Sequence, residues 1–328
     1  MKVLGISNPN FKGVSIATRA TCTEYYPLPH IEHPGATIQY VRTLLALDPD
    51  ILVVGGWSKG YKELLLKLKI ERKFPVLSVY HSTAFHGNMF CDEIYWQQFL
   101  DTKSLGGTDL IGFVHPPTVR YFNDIKKIPA IFVPHAFAVQ PQKKKDDKFV
   151  IGIFGGTNNV FKNTYGAIEV ARDFAASHKN CEIIAPAFTN QEHKDFLQIL
   201  GRCSVVIHLS HIECYSNTIQ EAWARGIPAI YSPANDGLVR ANPLMDDNDK
   251  YGLELLRLGC GIDARELYAK LSLVFNNWQL YSDRTHRTYY SLKQATDSYL
   301  NKIFKGIRRE ADNRVRDLSI YPNSLLNK

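Results

Sequence analysis

The chain has 328 residues, 45% hydrophobic and 22% charged, enough for two domains with real cores and unlike a disordered or fibrous protein. No apolar run reaches the ~18 residues of a membrane-spanning helix. The net charge of +7 favours polyanionic partners, whether nucleoside diphosphates, an anionic membrane surface or nucleic acid, and fits an ordinary basic surface equally well.

In chain order, short β-branched runs alternate with longer amphipathic stretches, the pattern of a parallel sheet wrapped by helices. Residues 3–6 form the first strand, and nothing around them resembles the apolar core and cleavage site of a signal peptide. A helix over about 36–47 stops at Asp48-Pro49-Asp50, where proline cannot continue it. Strand 51–54 runs into Gly55-Gly56-Trp57, and 59–70 reads as a helix with leucines on one side and lysines on the other. Strand 75–80 empties into His81-Ser82-Thr83, and strands 110–114 and 130–133 complete a first sheet. Residues 140–148 hold no apolar side chain other than proline and read as an exposed linker.

A second series follows. Strand 149–154 leads into Gly155-Gly156-Thr157-Asn158-Asn159, then come helix 163–176, strand 181–185, helix 191–200, strand 205–209, helix 217–225, strand 228–231 and helix 264–276. The acidic run Asp246-Asp247-Asn248-Asp249 reads as a solvated loop rather than a metal site, and about 285–318 as a basic, mainly helical face. The expected fold is therefore α/β, with doubly wound domains over 1–139 and 149–304 and a C-terminal helix over about 305–328 that packs back on the first. Six cysteines scattered without a Cys-x-x-Cys pair read as reduced, mostly buried thiols, which argues for a cytoplasmic protein and against structural zinc.

Chemistry concentrates between strand 205–209 and strand 228–231. The first strand ends in a polar loop carrying Glu213, Ser216 or Asn217 can cap the next helix, and Gly226 ends it. Free amides at a helix start suit a diphosphate. Glu213 lies before that helix, within reach of a sugar on the phosphate, and Glu221 sits about one turn further in, placed to accept bonds from adjacent hydroxyls. Ligands of open α/β sheets bind at the carboxyl ends of strands, where this loop lies.

The spacing of Glu213, seven residues and Glu221, followed by Ala222-Trp223-Ala224-Arg225-Gly226-Ile227-Pro228, resembles the signature of retaining glycosyltransferases of the GT-B fold, the group 1 or family 4-like enzymes. The resemblance implies two Rossmann-like domains facing a central cleft, the first for an acceptor and the second for a nucleotide-sugar donor. It implies that Glu213 contacts the donor sugar beside the reacting carbon and Glu221 the ribose, while Tyr215, Ser216, Asn217 and Thr218 bind the diphosphate. The same resemblance implies that Gly155, Gly156 and Thr157 form a turn letting backbone approach the phosphates, and that Lys162 neutralises them. The family often has an arginine shortly after the glycine, where this chain has Thr157 and Asn158. His81, with His86 as a competitor, matches a histidine facing the donor sugar. Gly13 serves in place of the family's glycine-rich loop after the first strand, and Val133-Pro134-His135-Ala136 resembles the turn that ends the first domain.

The expected function is transfer of a sugar from a UDP-, GDP- or ADP-sugar to an acceptor hydroxyl with retention, without a cofactor or divalent ion. The rivals are a nucleotide-sugar epimerase on the same scaffold and a sugar-nucleotide or glycan binding protein without turnover. The acceptor is open among a lipid-linked or surface glycan, a protein, a small metabolite and modified-base DNA. The basic charge and the lysines of 59–73 fit peripheral contact at the inner face of a membrane, and the protein is expected as a monomer or homodimer. Neither Gly-x-x-x-x-Gly-Lys-Ser/Thr nor Gly-x-Gly-x-x-Gly occurs, which disfavours a kinase or a nicotinamide enzyme.

Overall fold

A computed structural model describes residues 1–81, 89–154, 162–186, 192–211, 213, 215–259 and 263–314. The chain divides into two compact units. One comprises Met1–Val79, Gln97–Ile111 and Ser298–Lys328, and the other Tyr80–Trp96 and Gly112–Asp297.

The first sheet contains β1 (Val3–Ser7), β2 (Glu24–Pro27), β3 (Ile51–Gly55), β4 (Val76–Tyr80), β5 (Leu110–Phe113) and β6 (Ala130–Phe132), in the order β2-β1-β3-β4-β5-β6. β1 pairs in parallel with both β2 and β3. Every residue of β1, β3 and β4 is buried, because helices cover both faces of a parallel sheet and the strands become continuous apolar runs.

Helix α1 (Lys12–Thr21) and strand β2 were not expected from sequence. Helix α1 mixes small and β-branched residues (Gly13, Val14, Ser15, Ile16, Thr18, Thr21), weaker helix formers, among its two alanines. Its position demands small residues: a Cβ on Gly55 would lie 1.9 Å from Thr18 Oγ1, and one on Gly5 2.8 Å from Thr18 Cγ2. Thr18 and Thr21 return their hydroxyl protons to the helix carbonyls of Val14 and Ala17. Strand β2 ends on Pro27, which an edge strand tolerates because one side needs no donor.

Helix α2 (Pro34–Leu47) ends at Asp48, whose φ of 40° is a left-handed turn that aspartate accepts. Helix α3 (Tyr61–Glu71) buries Tyr61, Leu64, Leu65 and Leu68. Helix α4 (Met89–Ser104), helix α5 (Pro116–Arg120) and a π-turn (Tyr121–Lys126) fill the stretches of this half that sequence left without elements.

The second sheet contains β7 (Phe149–Ile153), β8 (Cys181–Ile184), β9 (Val205–His208) and β10 (Ala229–Tyr231), all parallel, in the order β10-β9-β7-β8. Helices α6 (Thr164–Ser177), α7 (His193–Arg202) and α8 (Asn217–Trp223) link them. Phe174, Leu271 and Trp278 close the core over β7 and β9, and Trp278 Nε1 donates to Ser204 O at 2.7 Å.

Two sequence expectations change here. Asp246–Asp249 is not a loop: Asp246 caps helix α9 (Asp247–Glu254), accepting from Asp249 N at 2.8 Å, and acidic residues suit a helix start. Nor is 140–148 uniformly exposed. Gln140 N donates to Ala224 O and Lys143 N to Arg225 O, both at 2.8 Å, while Gln142 Nε2 donates to Asp283 Oδ1 at 2.7 Å. Pro141 and residues 144–148 stand clear. Helix α10 (Ala264–Asn276) precedes α11, a single helix over Trp278–Arg314, and Arg308 NH1 lies 3.9 Å from Asp50 Oδ1 in the first unit. Cys22 and Cys181 are half-buried free thiols and Cys203 a buried one. No helix among the described residues is long and apolar enough to cross a membrane.

Candidate functional site

The order β10-β9-β7-β8 reverses direction at β7: the chain leaves β7 for β8 on one side, then returns past it to β9. Right-handed crossovers put the two connecting helices on opposite faces, so the loops after β7 and β9 part and leave a crevice. Lys162 comes from the first loop and Glu213 from the second. They meet there: Lys162 Nζ donates to Glu213 Oε2. Asn163, at φ 51°, turns the chain into α6 just after Lys162. Side-chain exposures of 18% and 10% make this a largely buried pair rather than a surface contact.

Burial alone would raise the Glu213 carboxyl, but the Lys162 charge and the His208 hydrogen bond hold it well below the usual carboxylate range. His208 ends β9, 4% exposed, with Nε2 3.1 Å from Glu213 Oε2 and 3.3 Å from Ser216 Oγ. Among the described residues its buried Nδ1 has no partner, so the ring proton belongs on Nε2, where the carboxylate accepts it. Ser216 in turn caps α8, its hydroxyl accepting from Ile219 N at 3.4 Å. Sequence reading missed His208 because it sits in an apolar strand.

Glu221 lies inside α8, 5% exposed, and its Oε1 is 2.5 Å from His193 Nε2 at the start of α7. The His193 ring stacks on Phe196 at 6.2 Å, and Phe196 meets Phe154 edge-on at 5.4 Å. His193 also escaped sequence reading, since the pairing joins two helices that follow different strands.

The rest of the expected phosphate loop is partly occupied. Tyr215 is buried, its hydroxyl accepting from Asn242 Nδ2 at 3.1 Å, and burial pushes its pKa up. Asn217 Oδ1 accepts from His135 Nε2 at 2.7 Å, with the Gln220 side chain 3.1 Å from the same nitrogen. Thr218 is half-buried. His81 is half-buried, its ring 6.1 Å from that of His135. Burial holds His81 down at about 3, helped by His135, and His135 at about 4 against the opposing bond to Asn217. Gly13 is the second residue of α1, within a helix rather than in the loop expected there. Gly155, Gly156, Thr157 and His86 lie outside the described residues. Among the described residues no group of three or more His, Cys, Asp or Glu side chains could hold a metal ion.

No family model and no curated protein matches this sequence. Solved structures do match in fold. A UDP-forming α,α-trehalose-phosphate synthase from Burkholderia xenovorans superposes with a TM-score of 0.62 at 9% identity, covering 95% of this chain and 99% of that one. The Anabaena protein HepE in complex with UDP gives 0.56 at 13%, covering 96% and 100%. The GtfA/B complex gives 0.58 at 14%, covering 83% of this chain, which spans 60% of that longer one. Two Rossmann-like parallel sheets in one chain, in the company of these structures, give this protein the GT-B glycosyltransferase fold.

Proposed function

We propose that the chain is a retaining glycosyltransferase that moves a sugar from a nucleoside-diphosphate sugar to an acceptor hydroxyl. The meeting of Lys162 and Glu213 at the switch point of the second sheet carries this reading. An ammonium group has three N–H donors, so Lys162 can hold Glu213 with one and offer another to the distal phosphate. That phosphate gains negative charge as its bond to the sugar breaks, and a preorganised cation in a largely buried site stabilises it. Glu213, kept ionised by Lys162 and His208, favours positive charge on the sugar ring. The acceptor oxygen attacks the same face, its bond to the anomeric carbon forms as the bond to phosphate breaks, and its proton passes to the departing phosphate oxygen. Glu221, oriented by His193, accepts from the ribose hydroxyls. No divalent ion is required in this scheme.

The bound UDP of HepE supports a nucleotide-sugar donor for the same fold. The test is a panel of UDP-, GDP- and ADP-sugars, scored by melting temperature and by nucleoside diphosphate release with candidate acceptors. One donor should raise the melting temperature and release nucleotide. A panel that shifts nothing removes the donor-site assignment.

A further inference from the structure

The first sheet has a switch point of its own, between β1 and β3, because the chain goes from β1 to β2 on one side and returns past β1 to β3. Three loops are joined there by hydrogen bonds. Asn8 follows β1, His30 lies past β2 and Ser58 past β3. Asn8 Oδ1 accepts from Asn10 N at 3.0 Å, which turns its amide nitrogen to Ser58, where Nδ2 donates to Oγ at 2.9 Å. Buried and with no other acceptor among the described residues, the Ser58 hydroxyl gives its own proton to His30 Nδ1, 2.7 Å away. With Nδ1 accepting, the imidazole proton sits on Nε2. Asn8 and Ser58 are 1% and 0% exposed, so the relay is buried while the imidazole it fixes is half-exposed. Among the described residues His30 Nε2 makes no hydrogen bond. Phe11, 37% exposed, meets the His30 ring edge-on at 5.9 Å.

We propose that Phe11 and His30 form a saccharide-binding site, with a sugar ring lying on Phe11 and His30 Nε2 donating to one of its oxygens. A fixed N–H donor beside an exposed aromatic face matches the alternation of hydroxyls and C–H groups on a sugar. Charge disfavours a nucleic acid, which needs several cations for its phosphates. These loops carry Lys12 and Lys59 against Glu32, and Lys59 Nζ is 2.5 Å from Glu32 Oε2. Resting on the glycosyltransferase reading above, the bound saccharide is the acceptor.

The experiment uses the full chain, methyl glycosides of glucose, galactose, mannose and N-acetylglucosamine, and a duplex oligonucleotide. Imidazole nitrogen spectra report the ligand at His30. At least one glycoside should move the His30 Nε2 signal. Phe11→Ala and His30→Ala should each weaken that glycoside about tenfold, the loss of one good contact. His30→Gln, which keeps an N–H donor, should recover part of it. If no glycoside moves His30, if the oligonucleotide alone does, or if Phe11→Ala leaves glycoside binding unchanged, the site is overturned. Melting shifts with UDP report the second unit independently. Their absence alongside intact glycoside binding would remove the donor reading and leave this site standing.

Discussion

His208 Nε2 stands 3.1 Å from Glu213 Oε2, and both side chains are buried, so the carboxylate has an imidazole donor in addition to its lysine partner. Together they hold the Glu213 pKa below its ordinary 4.5, despite burial that would raise it. A depressed carboxyl contributes stability that is present above the unfolded pKa and is lost as pH falls through the folded one. Wild type should therefore exceed Glu213→Gln in melting temperature by a constant margin above about pH 5.5, with the gap closing in acid below 4.5. A gap that widens on acidification contradicts the pairing.

Lys162→Ala leaves the Glu213 carboxylate without its ammonium partner. Breaking a buried pair costs about 3 kcal/mol, discounted here because Lys162 keeps some exposure. Urea unfolding should show that loss in the single variant and less than the sum of the singles in Lys162→Ala with Glu213→Gln. Additive losses would mean the two groups do not interact in solution.

Glu221 and His193 divide differently from Glu213. Glu221→Ala should weaken UDP binding by about tenfold or more, while His193→Ala should weaken it less, since it only orients the carboxylate. Calorimetric titration of both singles and the double gives their coupling. Glu213→Gln, by contrast, should mainly lower kcat. Equal and negligible effects from Glu221→Ala and Glu213→Gln would end the proposed division of roles.

His81 and His135 are held at about 3 and about 4 by burial, so both stay neutral at physiological pH. Because the folded values are depressed, they leave stability intact above the ordinary 6.5 and reduce it as pH falls from there toward about 4. Proton NMR of the ring C–H signals should show neither residue titrating between about pH 5 and 8. A midpoint near 6.5 for either one would show that it is solvated.

Strand and helix alternation carried much of the architecture because parallel strands buried on both faces write continuous apolar runs into the chain. Strands β3 and β7 are such runs, and β1, β4 and β9 depart from one only at Ser7, Ser78 and His208. Strand β2 and helix α1 were illegible for the opposite reason. An edge strand can end in proline, and helix α1, pressed onto Gly5 and Gly55 through Thr18, carries β-branched and small residues that blur its helical signal. The acidic stretch at Asp246 was read as solvated loop because a helix cap and a polar turn use the same residues.

Glu213, Glu221 and Lys162 stood out in the sequence as a spacing and a cation after a glycine turn. The sequence by itself determined which chemistry the chain holds: carboxylates after one strand, a lysine after another. Tertiary structure alone decided who meets whom. Lys162 reaches Glu213 across 51 positions because strand order sets β7 beside β9, and His193 reaches Glu221 across 28 because α7 packs against α8. Histidines 208 and 193 carry no sequence signal, since a lone histidine in an apolar strand or at a helix start takes its role from its neighbour in space.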